Sequence, residues 1–222
     1  MAAVAYAPSL PRRARKKLAV RERLLAEARR LLFAQGVAGT GVAEIAEAAD
    51  VAPATFFNHF ASKDALLAAL TARAFEPLAA LVEASRAAHP ADPPAQVASF
   101  FSGAAGALEP ARAELGDLLL ALVRRAATPP PGLDPLEPLR HAWSRLLFEA
   151  QRQGALRGDV EAAFLADLVV AALRGALAEA LRDPRYPLAR RLAQLGAFVA
   201  GGLGLRAPAD RDPSSHVEEN HS

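Results

Sequence analysis

The sequence predicts an all-α protein. Ala, Leu, Arg and Glu, which lose little side-chain freedom in a helix, dominate its 222 residues, and aromatic residues make up only 6%. Apolar residues also recur at three- and four-residue intervals in segment after segment, with prolines and glycines between the segments. At 52% hydrophobic, the chain can bury a sizeable core in one or two domains. It has no Cys, which excludes disulfides and thiolate metal sites and fits a reducing cytoplasm. Residues 1–10 are apolar but too short for a secretory signal, and their charges follow rather than precede them. Residues 192–205 fall short of the roughly 20 needed to span a bilayer, so the expectation is a soluble cytoplasmic protein with no membrane partner.

Positive charge is concentrated at the front. Residues 1–66 hold ten Lys or Arg against six Asp or Glu, whereas residues 67–222 hold sixteen against eighteen. A phosphate-binding module joined to a neutral body has this asymmetry.

Residues 1–17 contain two prolines and the basic run Arg12 to Lys17, and predict a flexible arm that is either a solvated tail or a DNA-tracking strand. A first helix is expected from Leu18, with Leu25, Ala28 and Leu32 on its apolar side and Gly36 as its left-handed cap. Val42, Ile45, Ala46 and Ala49 then repeat at helical spacing behind Thr40, a plausible N-cap. Pro53 stands where the first turn of a further helix would place it.

Ser62 is expected to cap a fourth helix that Pro77 kinks or divides. Pro93, Pro110 and Pro135 each read as helix openers, with the run 128–132 as a loop. One long helix is expected from just after Asp159 to about Arg182, and a last one after Pro187. The expected domains are therefore an arm (1–17), a helix-turn-helix domain (18–66), a larger helical domain (67–206) and a disordered tail (207–222).

Residues 40–60 have the requirements of two short helices crossing steeply. Ala46 is small enough for the contact, Ile45 and Phe56 are apolar on either side, and Asp50 tolerates the positive φ of the turn. On a helical wheel Phe56 and Phe60 point inward, leaving Pro53, Ala54, Phe57 and Asn58 on the opposite face, free to enter a groove.

These segments, TGVAEIA at 40–46, ADVA at 49–52 and TFFNHFASKDALL at 55–67, resemble the TetR (tetracycline-repressor-like) family of bacterial regulators. The resemblance covers roughly residues 18–70 strongly. Beyond them it extends to length, helical content and the GALR turn at 154–157. It implies a DNA-binding transcription regulator, in family habit a repressor, acting as a homodimer on a palindromic operator and released by a small-molecule effector.

The resemblance assigns DNA-facing roles to Thr40, Ala52, Pro53, Ala54, Thr55, Phe57, Asn58, His59 and Lys63. Among them, only the Asn58 amide can pair with a base edge at two points. Phe57 and Ala54 suit thymine methyls, whereas Thr40, His59 and Lys63 suit phosphates. The family usually has Tyr at position 57 and Gly at position 50, so Phe57 lacks a phosphate-binding hydroxyl and Asp50 replaces the usual turn residue.

The resemblance also places Phe100, Phe101, Leu119, Trp143 and Leu147 on helices that line an effector cavity, with Arg140, His141 or Arg174 as polar anchors. Plain core is an equal reading of the apolar ones, and an apolar lining would suit a hydrophobic effector. On the last two helices Phe164, Leu168, Ala171 and Gly175, with Leu195, Phe198 and Val199, are expected to form the dimer interface as a four-helix bundle.

The five histidines have no metal-ligand spacing, Glu137 and His141 read as a surface pair, and no phosphate loop or nucleophile elbow occurs. No cofactor, metal or enzymatic activity is expected. The rival reading is an all-helical small-molecule carrier or enzyme that keeps a vestigial DNA-binding module.

Overall fold

The computed structural model describes residues 11–126, 132–202 and 204, and the side chains of 113–117 fall outside that description. Eight α-helices and no strand occur among the described residues. The chain divides into two compact units, Met1–Leu70 and Thr71–Ser222. The division falls within a helix, four residues beyond the boundary expected after Leu66.

In the first unit, α1 (Arg12–Gly39) packs against α2 (Val42–Ala48), and α2 against α3 (Pro53–Phe57). α1 corrects the expected arm. Arg, Lys and Ala are strong helix formers, and the Pro11 carbonyl accepts the Arg15 N–H at 3.0 Å, so the basic run coils from its first residue. Gly36 adopts φ 73° and breaks α1 where the left-handed cap was expected. Thr40 is not the N-cap of α2, a place taken by Gly41; its hydroxyl donates to the Gly36 carbonyl at 2.8 Å. Residues 1–10 and the tail 207–222 lie outside the described residues.

α4 (Lys63–Ala88) starts at the Ser62 cap, whose Oγ accepts the Ala65 N–H at 3.1 Å. It continues through Pro77, which rules out the division but not a kink, and α5 (Pro93–Arg125) continues through Pro110, where a helix start was expected. A proline removes one helical hydrogen bond at a cost of about 3 kcal/mol. Burial of Phe75, Leu78 and Val82 around Pro77, and of Leu108, Leu119 and Val123 around Pro110, offsets that loss.

α4 is long and apolar enough to cross a membrane by composition. Its Leu66, Leu67, Leu70, Phe75, Leu78 and Val82 are buried inside the protein and form its inward face.

In the second unit, Asp92 caps α5 by accepting the Ala95 N–H at 3.1 Å. α6 (Glu137–Arg152) opens at Pro138 rather than Pro135, because Asp134 Oδ1 takes the Leu136 N–H at 3.0 Å in a turn of its own. α7 (Ala162–Arg182) and α8 (Leu188–Gly202) complete the unit, with α5 against α8 and α7, α6 against α7, and α7 against α8. Arg112 on α5 donates to the carbonyl of Ala180 at 3.4 Å, in the last turn of α7, and to that of Tyr186 at 3.3 Å, in the loop beyond it.

A close helix approach in this unit depends on Gly196. A Cβ there would lie 2.9 Å from Phe101 Cδ2 and 3.1 Å from Phe101 Cβ, and the buried Phe101 has no room to retreat. Gly196→Ala is therefore expected to lower stability by about 1–3 kcal/mol, read as a fall in Tm on thermal denaturation. An unchanged Tm would mean that α8 can step away from α5 freely.

Candidate nucleic-acid interface

A five-residue helix cannot hold itself together in water, so the position of α3 must come from what it packs on. Leu24, Leu25, Ala28, Leu31 and Leu32 of α1 are buried together with Ile45 and Ala46 of α2, and Phe56 and Phe60 are buried too, at 0% and 3% exposure. The Phe56 and Phe60 rings lie 5.7 Å apart.

The turn between α2 and α3 closes by two hydrogen bonds, from Val51 N–H to the Ala46 carbonyl at 3.0 Å and from Asp50 N–H to the Glu47 carbonyl at 2.9 Å. This is the Schellman pattern, and it requires a left-handed residue at position 50, where Asp50 has φ 53°. Pro53 sits in the first turn of α3 behind the N-cap Ala52, as expected. Helical bonding continues past Phe57, with the Asn58 N–H reaching the Ala54 carbonyl at 3.3 Å.

With the two phenylalanines turned inward, Ala52, Pro53, Ala54, Phe57 and Asn58 are exposed. Phe57 is 55% exposed and meets Phe56 edge to face at 5.4 Å. Thr55, His59 and Lys63 are half-buried. Thr40 departs from the expected set: it is 1% exposed with its hydroxyl committed to Gly36, so its side chain does not meet a phosphate in this geometry. The Lys63 ammonium donates to the Val37 carbonyl, tying the start of α4 to the bend that Gly36 makes, and keeps two further N–H groups.

Arg21 had no place among the expected residues. Its guanidinium stacks on the Phe60 ring at 4.3 Å from the centroid and donates to the His59 carbonyl at 3.2 Å, locking the end of α3 to α1. No spacing in the sequence marks this partnership, because the two residues are 38 positions apart. Lys17 and Arg21 are near enough that their charges, after burial, hold the His59 imidazole below its ordinary pKa. The basic turns of α1 therefore run toward the exposed end of α3, and Arg12, Arg13, Arg15, Lys16 and Lys17 all face solvent.

The other expected residues separate by unit and face. Phe100, Phe101, Leu119, Trp143 and Leu147 lie in the buried core of the second unit. Arg140 is not free to anchor an effector, since it pairs with Asp134 and, at 3.2 Å, with Asp167. His141 is exposed and Arg174 is half-buried. Phe164 (54%), Leu168 (50%) and Phe198 (71%) stand out as exposed large apolar residues, and Ala171 and Gly175 are exposed beside them. Leu195 is half-buried, whereas Val199 is core at 4% exposure and is not available to an interface.

Because the folded protein disfavours His59 protonation, the unfolded chain binds a proton at higher pH than the native one. The neutral imidazole's contribution to stability is present above the ordinary value of 6.5 and is lost as pH falls from there through the lowered folded value. The expected outcome is a fall in Tm from pH 7 to pH 5 that is smaller in His59→Gln. An equal fall in both proteins would remove His59 as its source.

Residues 24–70 match the family model described as bacterial regulatory proteins, tetR family. The chain is 45% identical over 76 residues to the HTH-type transcriptional regulator TcmR of Streptomyces glaucescens, covering 34% of this chain and 30% of TcmR. It is 24% identical over 164 residues to the HTH-type transcriptional repressor DhaR of Mycobacterium sp. (strain GP1), covering 71% of this chain and 80% of DhaR. Among solved structures, Thermus thermophilus FadR, a TetR-family transcriptional repressor in complex with lauroyl-CoA, superposes with a TM-score of 0.69 at 25% identity, over 86% of this chain and 100% of FadR. The family match falls on the segment that carries Phe56 and Phe60, so residues 24–70 form a tetR-family domain, and the similarity of fold to FadR continues through the second unit.

Proposed function

We propose that the chain is a ligand-responsive transcriptional repressor that binds a palindromic operator as a homodimer in the cytoplasm. The observation that carries this reading is the outward face of α3, where Pro53, Ala54, Phe57 and Asn58 are exposed above a buried Phe56 and Phe60. Such a face enters a major groove. There the Asn58 amide reads an adenine edge, Ala54 and Phe57 meet thymine methyls, and the remaining Lys63 donors and the basic turns of α1 hold phosphates. A neutral His59 contributes a hydrogen bond rather than a charge.

The reading side chains are short, so backbone contacts and DNA shape carry much of the affinity. Repression is supported by the repressor descriptions of DhaR and FadR, and response to a ligand by the lauroyl-CoA held by FadR.

Dimerisation is supported by the unpartnered apolar faces of α7 and α8, where Phe164, Leu168 and Phe198 are exposed. Two such helices from each of two copies make a four-helix bundle, which sets two reading helices about one DNA turn apart or a multiple of it. Charging both faces with Leu168→Glu and Phe198→Glu is expected to give a monomer in sedimentation equilibrium, with operator affinity lost while helicity is kept. A dimer of parental strength would place the interface elsewhere.

Selection of binding sites from a random duplex library tests the whole reading, and the expected outcome is enrichment of an inverted repeat that high salt weakens. Asn58→Ala should relax preference at one position of each half-site, a discrimination of about 1–3 kcal/mol. Absence of any enriched sequence would reject the repressor assignment.

A further inference from the structure

We propose that the indole N–H of Trp143 is the polar anchor for this chain's effector, an apolar molecule carrying an uncharged hydrogen-bond acceptor such as a ketone or ester oxygen. The inference rests on the effector-binding reading above and narrows its chemistry.

Trp143 is fully buried, yet among the described residues its Nε1 meets no acceptor. Buried tryptophans ordinarily find a partner for this group, and an orphaned donor inside a native core calls for an absent occupant. The surroundings offer nothing adequate. The Phe100 ring lies at 4.8 Å and 81° and the Phe101 ring at 5.9 Å and 41°, and an aromatic ring is at best a weak acceptor. A lone water would need two to four polar partners, whereas Trp143 belongs to a core cluster of apolar residues, including Leu139 and Leu147.

The acceptor is uncharged because the cations on the same helix are engaged or turned away. Arg140 pairs with Asp134 and Asp167, His141 is exposed, and Arg145 is exposed beside Glu83 at 3.6 Å. A carboxylate arriving at Trp143 would lose its water and gain no counter-charge from α6, a cost that a ketone oxygen escapes.

The position also gives the contact leverage. Trp143 packs on Phe101, and Phe101 packs directly on Gly196 of α8, the helix that exposes Phe198. A molecule inserted beside Trp143 displaces Phe101, and with it the helix bearing the outward apolar face.

Trp143 is the only tryptophan in the chain, so its indole N–H gives a single cross-peak in a proton–nitrogen correlation spectrum of the full-length labelled protein. Acetophenone, ethylbenzene and benzoate are the probes, alike in shape but offering a neutral acceptor, none, and a charged one. Acetophenone is expected to move the indole proton downfield and to bind about tenfold more tightly than ethylbenzene, with benzoate weakest.

In Trp143→Phe, calorimetry is expected to show that advantage gone while ethylbenzene binding persists. The variant's Tm is expected to fall modestly from the lost ring volume, so the probes are compared at a temperature where both proteins are folded. An unmoved cross-peak, equal affinities for acetophenone and ethylbenzene, benzoate as the tightest probe, or no binding of any probe would each overturn the proposal. DNA-site selection with the parent protein is independent of these outcomes. A normal selection with an unmoved cross-peak sinks the anchor alone, whereas a failed selection sinks the regulator.

Discussion

Everything the first unit presents to its surroundings depends on the insertion of Phe56 and Phe60 among the leucines of α1 and the Ile45–Ala46 pair of α2. α3 has five residues, too few for its own hydrogen bonds to repay the ordering of its backbone. The two rings fix both its place and its rotation, and rotation decides which side chains face outward. Arg21 adds a second hold from α1, covering the outer face of Phe60 and taking the carbonyl of His59. The outward face is thus set by core packing.

The α2–turn–α3 segment was legible in the sequence because its determinants are local. Spacing puts Ile45, Ala46, Phe56 and Phe60 on inner faces, and the residue types at 50 and 53 suit a left-handed turn and a helix start. What escaped was decided elsewhere. Pro77 and Pro110 are strong local breakers, yet the buried apolar residues on either side hold α4 and α5 continuous. In the run Arg12 to Lys17, density of charge suggested an arm, while the helix propensity of the same residues won. Thr40 has the chemistry of both a cap and a phosphate ligand, and the nearby bend at Gly36 took its hydroxyl first.

The second unit shows a different division of legibility. Apolar periodicity identifies the helices and most of the core, and it marks Phe164, Leu168 and Phe198 as a stripe, but periodicity alone does not say which stripe faces inward. Exposure resolves this: the core takes Leu165 and Val169, one position on from Phe164 and Leu168, together with Leu173, and takes Val199 from α8. Whether Arg140 is an anchor or a strut likewise depends on Asp134 and Asp167, which come from outside its own helix.

The front of α1 has an energetic peculiarity. Five cations crowd its first six residues and no acid balances them in the first turn, so they gather at the end of a helix whose own dipole is positive. Left alone, these turns repel one another and the helix that carries them. A nearby polyanion reverses the sign of the effect, so under the proposed function the leading turns of α1 are firmest on a duplex. Part of the favourable energy of seating is then used to finish a helix, and ionic strength governs how much of it is already finished beforehand.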